Sequence, residues 1–151
     1  MHTMSAYDAD FQRWLAEQSN LLRDGQFDRL DISHLVEELE SMGARDRREL
    51  INRLAVLIAH LLKWQYQPER RCTSWRLTIN EQRRQLALIL EDSPSLRVRL
   101  PEFLKRAYAH GMKAAQDESG LTGSSFPADC PWELSQLFDE GFWPDAACHP
   151  E

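Results

Sequence analysis

The sequence predicts an all-α fold, a single compact helical bundle of five to six helices with an aromatic and proline-rich C-terminal segment. Apolar residues recur at steps of three and four through most of the 151 residues, as they do along one face of a helix. No useful length of chain alternates apolar and polar residues, and Gly, Pro or Ser stands where the periodic stretches break. A chain of this length can form one hydrophobic core. We therefore expect one domain at residues 5–145 and a flexible tail at 146–151.

Two helices are predicted in the first 43 residues. The first runs from about residue 5 or 8 to Asp24, where Gly25 supplies a left-handed cap. The second begins after a cap at Asp31 or Ser33 and ends or bends at Gly43. The apolar stripe of the second helix, expected to face the core, contains Ile32, Leu35, Val36, Leu39 and Met42.

The third predicted helix, at about 44–66, is the central one of the fold. Its apolar stripe contains Leu50, Leu54, Leu57, Leu61 and Trp64. Pro68 cannot continue this helix, so the chain turns there. A fourth helix follows from a cap at Thr73 or Ser74 and reaches Glu91.

The fifth predicted helix begins at Pro94 and reaches about Glu118, with a kink or interruption near Pro101. Small residues at four-residue steps would allow another helix to cross it closely: Ala107, Gly111 and Ala115. One short helix is expected to start at Pro131. The aromatic and proline-rich residues around it are expected to lie across the bundle.

Composition argues against several classes of protein. The longest strongly apolar stretch, 54–62, is far shorter than the roughly 20 residues that a membrane span needs. The N-terminal residues lack the basic and apolar regions of a secretory signal. We therefore expect a soluble, cytoplasmic protein with no membrane partner. Three cysteines without CxxC spacing favour neither a disulfide framework nor a zinc site, and we expect no metal and no cofactor.

Charge is distributed unevenly along the chain. The net charge is -6, yet residues 44–84 carry 10 Lys and Arg against 4 Asp and Glu. This one basic region includes the turn predicted at Pro68. An acidic protein with a local basic segment is a candidate for electrostatic contact with a partner.

Several separated motifs resemble one known family. They read LDISHLVEELESMG at 30–43, HLLKWQYQP at 60–68, SWRLTI at 74–79 and DSPSL at 92–96, followed by FPADCPW at 126–132 and FWPD at 142–145. In order and spacing, from about Tyr7 to Asp145, they are similar to the bacterial family called domain of unknown function family 29. This resemblance implies a small helical bacterial protein. It implies no catalytic residue and no ligand.

Polar residues on the predicted helices offer weaker candidates. His34 and Glu37 have a spacing that di-metal bundles use, but they lie opposite the apolar stripe, which indicates a solvated acidic face. His60, at the edge of the central helix, is either a proton carrier or phosphate contact, or a histidine hydrogen-bonded to a neighbouring helix. The second interpretation is favoured because no nucleophile motif surrounds Cys72 or any other residue.

The basic segment supplies the leading functional hypothesis. Its candidate residues, called the basic contact surface below, are Lys63, Arg70, Arg71, Arg76, Arg83 and Arg84. The hypothesis is a non-enzymatic helical interaction module, one form of which is a homodimer, that meets an acidic protein or a nucleic acid through this surface. These arginines could instead pair with acidic helices of the same chain. The alternative function is a small helical enzyme or metal-binding protein that uses His60 and Glu38.

Overall fold

Six α-helices make up most of residues 6–145, the part of the chain that the computed structural model describes. They are α1 (Ala6–Ala9), α2 (Phe11–Arg23), α3 (Ile32–Tyr66), α4 (Thr73–Asp92), α5 (Leu100–Ser119) and α6 (Leu134–Phe138). Short 3-10 segments lie at Phe27–Arg29, Pro68–Arg70, Pro94–Arg99 and Gly123–Ser125. No strand occurs within 6–145, so the predicted all-α class is confirmed. Residue 5 and the predicted tail at 146–151 lie outside the described residues.

The chain divides into two compact units, Met1–Arg45 and Asp46–Glu151. We call them the N-terminal unit and the C-terminal unit. The first contains α1, α2 and the beginning of α3, and the second contains the rest of α3 and all later helices. The single domain at 5–145 stays a prediction.

The N-terminal unit is organised around Trp14. Asp10 caps α2, because its side chain accepts a hydrogen bond from the backbone N–H of Arg13 at 3.1 Å. One turn into the helix, the Trp14 side chain is only 1% exposed. Its indole Nε1 donates to the carboxylate of Asp31 at 2.9 Å, so the residue before α3 is tied to α2. Gly25, at φ +72°, takes the left-handed conformation predicted after the helix.

The second predicted helix does not end at Gly43, because α3 continues through it as one helix of 35 residues. A glycine inside a helix costs only about 1 kcal/mol relative to alanine. The neighbouring residues, which include Glu40, Met42, Ala44 and Arg45, are good helix formers and offset that cost. The second and third predicted helices are therefore a single element.

The core of the C-terminal unit is built on the second half of α3. The buried apolar side chains in that half of α3 are Leu50, Ile51, Leu54, Leu57, Ile58, Ala59, Leu61 and Leu62. Those of α4 and α5 include Ile79, Leu86, Leu90, Phe103 and Ala107. Fully burying a Leu, Ile or Phe side chain contributes roughly 1.5–3 kcal/mol. The leucine stripe predicted for this part of the chain is confirmed.

The predicted close crossing of helices is present between α3 and α5. A Cβ atom added to Gly111 would lie 2.7 Å from the backbone oxygen of Ala55 and 2.9 Å from Cγ2 of Ile58. Only glycine leaves enough space for these two backbones to approach so closely.

The later helices begin at other residues than predicted. Thr73 is the first residue of α4, so neither it nor Ser74 acts as the cap, and the N-cap residue Cys72 makes no side-chain cap bond. Pro94 opens a 3-10 segment, and α5 starts only at Leu100. The short C-terminal helix starts at Leu134, after a capping box at Glu133 and Gln136. No helix among the described residues is both long and apolar enough to cross a bilayer.

Candidate functional site

Three members of the basic contact surface lie exposed. They are Arg70, Arg76 and Arg84. Arg84 Nη2 already pairs with the carboxylate of Glu81 at 2.7 Å, an exposed contact between residues three apart on α4. The side chains of Arg70 and Arg76 have no ion-pair partner within 6–145. These two arginines therefore present their charge to solvent.

Lys63 is a buried member of the same set. Its side chain is 7% exposed and forms an ion pair with Glu118 of α5. The ammonium group also lies 5.0 Å from the ring centre of Trp75, where the negative face of the indole favours a cation. Lys63 thus links α3, α4 and α5. Because it is buried, it is not available for contact with a partner.

Arg83 is buried as well, although it lies seven residues after the exposed Arg76 on α4. It is 2% exposed. Nε donates to the carbonyl oxygen of Leu137 at 2.8 Å and Nη2 to that of Gln136 at 3.3 Å. The guanidinium carbon lies 5.6 Å from the ring centre of Trp143, and burial lowers the pKa of Arg83. This arginine joins α4 to the C-terminal segment.

Arg71 is half-buried at the turn between α3 and α4. Its Nε donates to the carbonyl oxygen of Trp64 at 2.7 Å, and its guanidinium carbon lies 4.9 Å from the centre of that ring. Nη2 reaches the carbonyl oxygen of Pro144 at 3.4 Å. Arg71 therefore caps the C-terminal end of α3 and stabilises the turn between α3 and α4, which we call the corner. It can support a contact made by its neighbours.

The start of α4 lacks the negative groups that often stand at a helix N-terminus. Its N-cap residue provides no side-chain acceptor, and its first turn contains no acidic residue. A helix N-terminus carries a partial positive charge from unpaired N–H groups. Placing Arg76 within one turn of it, and Arg70 just before it, adds charge of the same sign. These positive side chains destabilise α4 when no anion is bound, and they favour the binding of an anionic group at its N-terminus.

His60 and Glu38, the residues of the alternative function, each have a local partner. His60 Nδ1 lies 2.9 Å from the carbonyl oxygen of Val56. Because a carbonyl oxygen only accepts, Nδ1 carries a proton. Burial lowers the pKa of His60, which favours the neutral ring with a bare Nε2. Glu38 accepts a hydrogen bond from the Tyr7 hydroxyl and belongs to the N-terminal unit, whereas His60 belongs to the C-terminal unit. Within 6–145, no group of three or more His, Cys, Asp or Glu could hold a metal ion.

A polar and aromatic cluster in the N-terminal unit was not predicted. His34, which the sequence placed on a solvated face, stacks on Tyr7 with ring centres 4.1 Å apart. Its Nδ1 lies 2.7 Å from the carboxylate of Asp31. This contact raises the pKa of His34 and lowers the pKa of Asp31. The hydrogen bond to Glu38 raises the pKa of Tyr7 to about 12. The signal in the sequence was Asp31-x-x-His34 together with the aromatic residues of the first predicted helix, and this pattern fits a cap as well as a packing site.

A cleft of about 370 Å³ opens beside α5 in the C-terminal unit. Leu104, Tyr108, Met112 and Cys130 are among the residues that line it. The Tyr108 hydroxyl donates to the carbonyl oxygen of Pro127. Burial raises the pKa of the Cys130 thiol, so the thiol stays protonated and is a poor nucleophile. No member of the basic contact surface lines this cleft.

These features define an all-α protein in which several polar side chains serve the fold and in which Arg70 and Arg76 are exposed at the turn between α3 and α4. The chain belongs to the family described as Domain of unknown function DUF29, whose model matches residues 6–143. The match covers nearly the whole chain and extends over both units. No curated protein and no solved structure matches it.

Proposed function

We propose that this chain is a non-enzymatic helical interaction module that binds an acidic protein segment at the start of α4. The observation that carries the proposal is the exposure of Arg70 and Arg76, without ion-pair partners within 6–145, beside an uncapped helix N-terminus. Other charged groups of the basic contact surface already have partners, as Lys63 does in Glu118 and Arg84 in Glu81.

A carboxylate is the group that this corner suits. The first N–H groups of α4 can donate to it, and the forked donors of an arginine match its two oxygens. Arg71 holds the turn in place through the carbonyl oxygens of Trp64 and Pro144, so its neighbours are presented from a rigid corner. A preorganised site loses less conformational freedom on binding.

An acidic protein is favoured over a nucleic acid because of charge. Nucleic-acid affinity depends on neutralising many phosphates. Burial removes Lys63 and Arg83 from the surface, and the chain as a whole carries a net charge of -6. Two or three exposed arginines suit a few carboxylates better than a continuous phosphate backbone.

We also propose that the protein works in the cytoplasm. Cys72 is an exposed free thiol and Cys130 is a half-buried one, as is usual in a reducing compartment. Fractionation of cells that express the tagged chain would test this location.

Binding of a fluorescent acidic peptide, followed by anisotropy at low and high salt, tests the proposed contact. The variant Arg70→Glu/Arg76→Glu should weaken binding by at least about tenfold, since it replaces the two exposed arginines of the basic contact surface that have no ion-pair partner within 6–145. The matched control Arg97→Glu/Arg106→Glu changes the net charge equally at two exposed residues of the same unit and should bind like the wild type. Equal losses in both variants would mean that only net charge matters. Tighter binding of a single-stranded RNA of equal charge would favour a nucleic acid instead.

A further inference from the structure

The N-terminal unit exposes more apolar surface than its size explains. Eleven large apolar side chains are exposed within 6–145, and seven of them lie before residue 46. They are Phe11, Leu22, Phe27, Ile32, Val36, Leu39 and Met42. Contiguous exposed apolar surface usually marks a place where another protein binds.

Four of these residues form a continuous stripe on α3, called the α3 stripe below. They are Ile32, Val36, Leu39 and Met42, with exposed fractions of 62%, 46%, 67% and 58%. Steps of four, three and three place them on one face of the helix. Leu35, which is half-buried, lies at the edge of this face. Ile32, Leu35, Leu39 and Met42 have the spacing of the a and d positions of a coiled coil.

The neighbouring helices of the unit contact a different face of α3. Trp14 bonds to Asp31, and Tyr7 contacts His34 and Glu38. At 100° per residue, His34 points well away from Ile32 and Leu39, and Glu38 lies about 100° from Leu39, at the edge of the stripe. The stripe that the sequence assigned to the core is therefore exposed, because the aromatic residues of α1 and α2 pack on the polar face instead.

Charge along α3 indicates what covers the stripe. Residues 31–40 contain four acidic residues and no Lys or Arg, whereas 44–48 contain three arginines and one aspartate. An antiparallel copy of this helix, centred between Leu39 and Met42, would set the acidic part of each chain opposite the basic part of the other. A parallel copy would place like charges together. A helix with this reversal is complementary to itself, as a two-fold symmetric interface requires.

We propose that the α3 stripe is a homodimer interface in which two copies of the chain pack antiparallel around Leu39 and Met42. The apolar side chains lie at the centre and the acidic and basic parts of α3 flank them, in the arrangement usual for protein interfaces. The apolar centre of the interface lies in the N-terminal unit, and the proposal does not depend on the acidic partner proposed for α4.

Sedimentation or light scattering on the full chain tests the dimer. The wild type should have twice the chain mass of 17.6 kDa, and Leu39→Glu/Met42→Glu should have the monomer mass with unchanged helicity. Both residues are exposed, so the substitutions leave the fold of one chain intact. The control Leu77→Glu/Leu88→Glu replaces two exposed leucines of the C-terminal unit and should remain dimeric. A monomeric wild type, or a dimer unaffected at Leu39 and Met42, would overturn the proposal.

Charge exchange supplies a second test that keeps the apolar residues. Arg45→Glu should raise the dimer dissociation constant by about tenfold or more, because an acidic residue then faces Glu38 of the second copy. Adding Glu38→Gln in the same chain should recover most of the affinity, because the like charges no longer face each other and the amide oxygen can still accept from Tyr7. If the combined variant dissociates as readily as the first, the antiparallel arrangement is wrong.

Discussion

Arg83 Nε donates to the backbone carbonyl oxygen of Leu137 across 2.8 Å, which joins two residues 54 positions apart. The last carbonyl groups of a helix have no partner inside the helix, and Leu137 lies near the end of α6. A buried guanidinium supplies the missing donors at this end. The adjacent Arg84 is exposed and pairs with Glu81 of its own helix. Arg83 therefore stabilises the packing of α6 on α4, whereas Arg84 forms only a surface ion pair.

Replacing Arg83 should destabilise the C-terminal unit far more than replacing Arg84. Arg83→Ala leaves buried carbonyl groups without donors and creates a cavity beside Trp143, at a cost of about 3 kcal/mol. Arg84→Ala removes only an exposed ion pair, worth about 0–1 kcal/mol. Urea denaturation followed by tryptophan fluorescence measures both. Similar midpoints for the two variants would show that Arg83 contributes no more than a surface charge.

Gly111→Ala should be destabilising, although alanine is the better helix former. The new methyl group would meet a backbone oxygen 2.7 Å away, so α3 and α5 must separate, at a cost of about 1–3 kcal/mol. Ala109→Ser adds one heavy atom at an exposed position of the same helix and should change the free energy of unfolding by about 0.5 kcal/mol or less. Thermal unfolding of both variants compares them, and a stabilised Gly111→Ala would contradict the close crossing.

The Lys63–Glu118 pair should show coupling in a double-mutant cycle. Glu118→Gln leaves a buried ammonium group without its counter-ion and should cost about 3 kcal/mol or somewhat less, since Glu118 is half exposed. In Lys63→Met/Glu118→Gln that penalty should largely disappear, because no buried charge remains. Additive effects of the two substitutions in chemical denaturation would mean that the pair contributes only as separate side chains.

His34 should titrate with a pKa above the ordinary value for histidine, and His60 with a pKa below it. The hydrogen bond to Asp31 raises the pKa of His34, with smaller contributions from Asp31, Glu37 and Asp8 charges, whereas burial lowers the pKa of His60. In an NMR titration, Asp31→Asn should lower the pKa of His34 and leave that of His60 unchanged. If His34 keeps its raised pKa in this variant, the contact with Asp31 is not its cause.

The contact between His34 and Asp31 also makes the stability of the N-terminal unit depend on pH. A raised pKa of His34 means that its contribution is complete below about pH 6.5 and is lost as pH rises through the folded value. A lowered pKa of Asp31 means that its contribution is present above about pH 3.9 and is lost as pH falls through the folded value. The pair therefore stabilises the folded unit most at mildly acidic pH. Hydrogen exchange at α2 amides should show this maximum, and Asp31→Asn should flatten it.

The sequence predicted the C-terminal unit better than the N-terminal one. Leu50, Leu54, Leu57 and Leu61 repeat on one face and are all buried, because that face meets neighbours from several helices. The repeat of Ile32 and Leu39 is equally regular and stays exposed. Periodicity shows that a face is apolar, but it does not show what covers it.

The basic contact surface was only partly predictable from the sequence, because spacing does not show which side of a helix another segment covers. Arg76 and Arg83 share a helix face by spacing, yet one is exposed and the other buried. The difference comes from the C-terminal segment, whose Leu137 and Trp143 pack against the later residue. A count of charges along the chain carries no information about such long-range contacts.

Amide shift mapping tests the central claim most directly, namely that the start of α4 is the contact surface for an acidic partner. Unlabelled acidic peptide would be added to the ¹⁵N-labelled chain at low salt. We expect the largest shifts at Arg70, Arg71 and the first turn of α4, Thr73 to Arg76, and their loss in Arg70→Glu/Arg76→Glu. Shifts concentrated elsewhere, or none at saturating peptide, would contradict the proposed function.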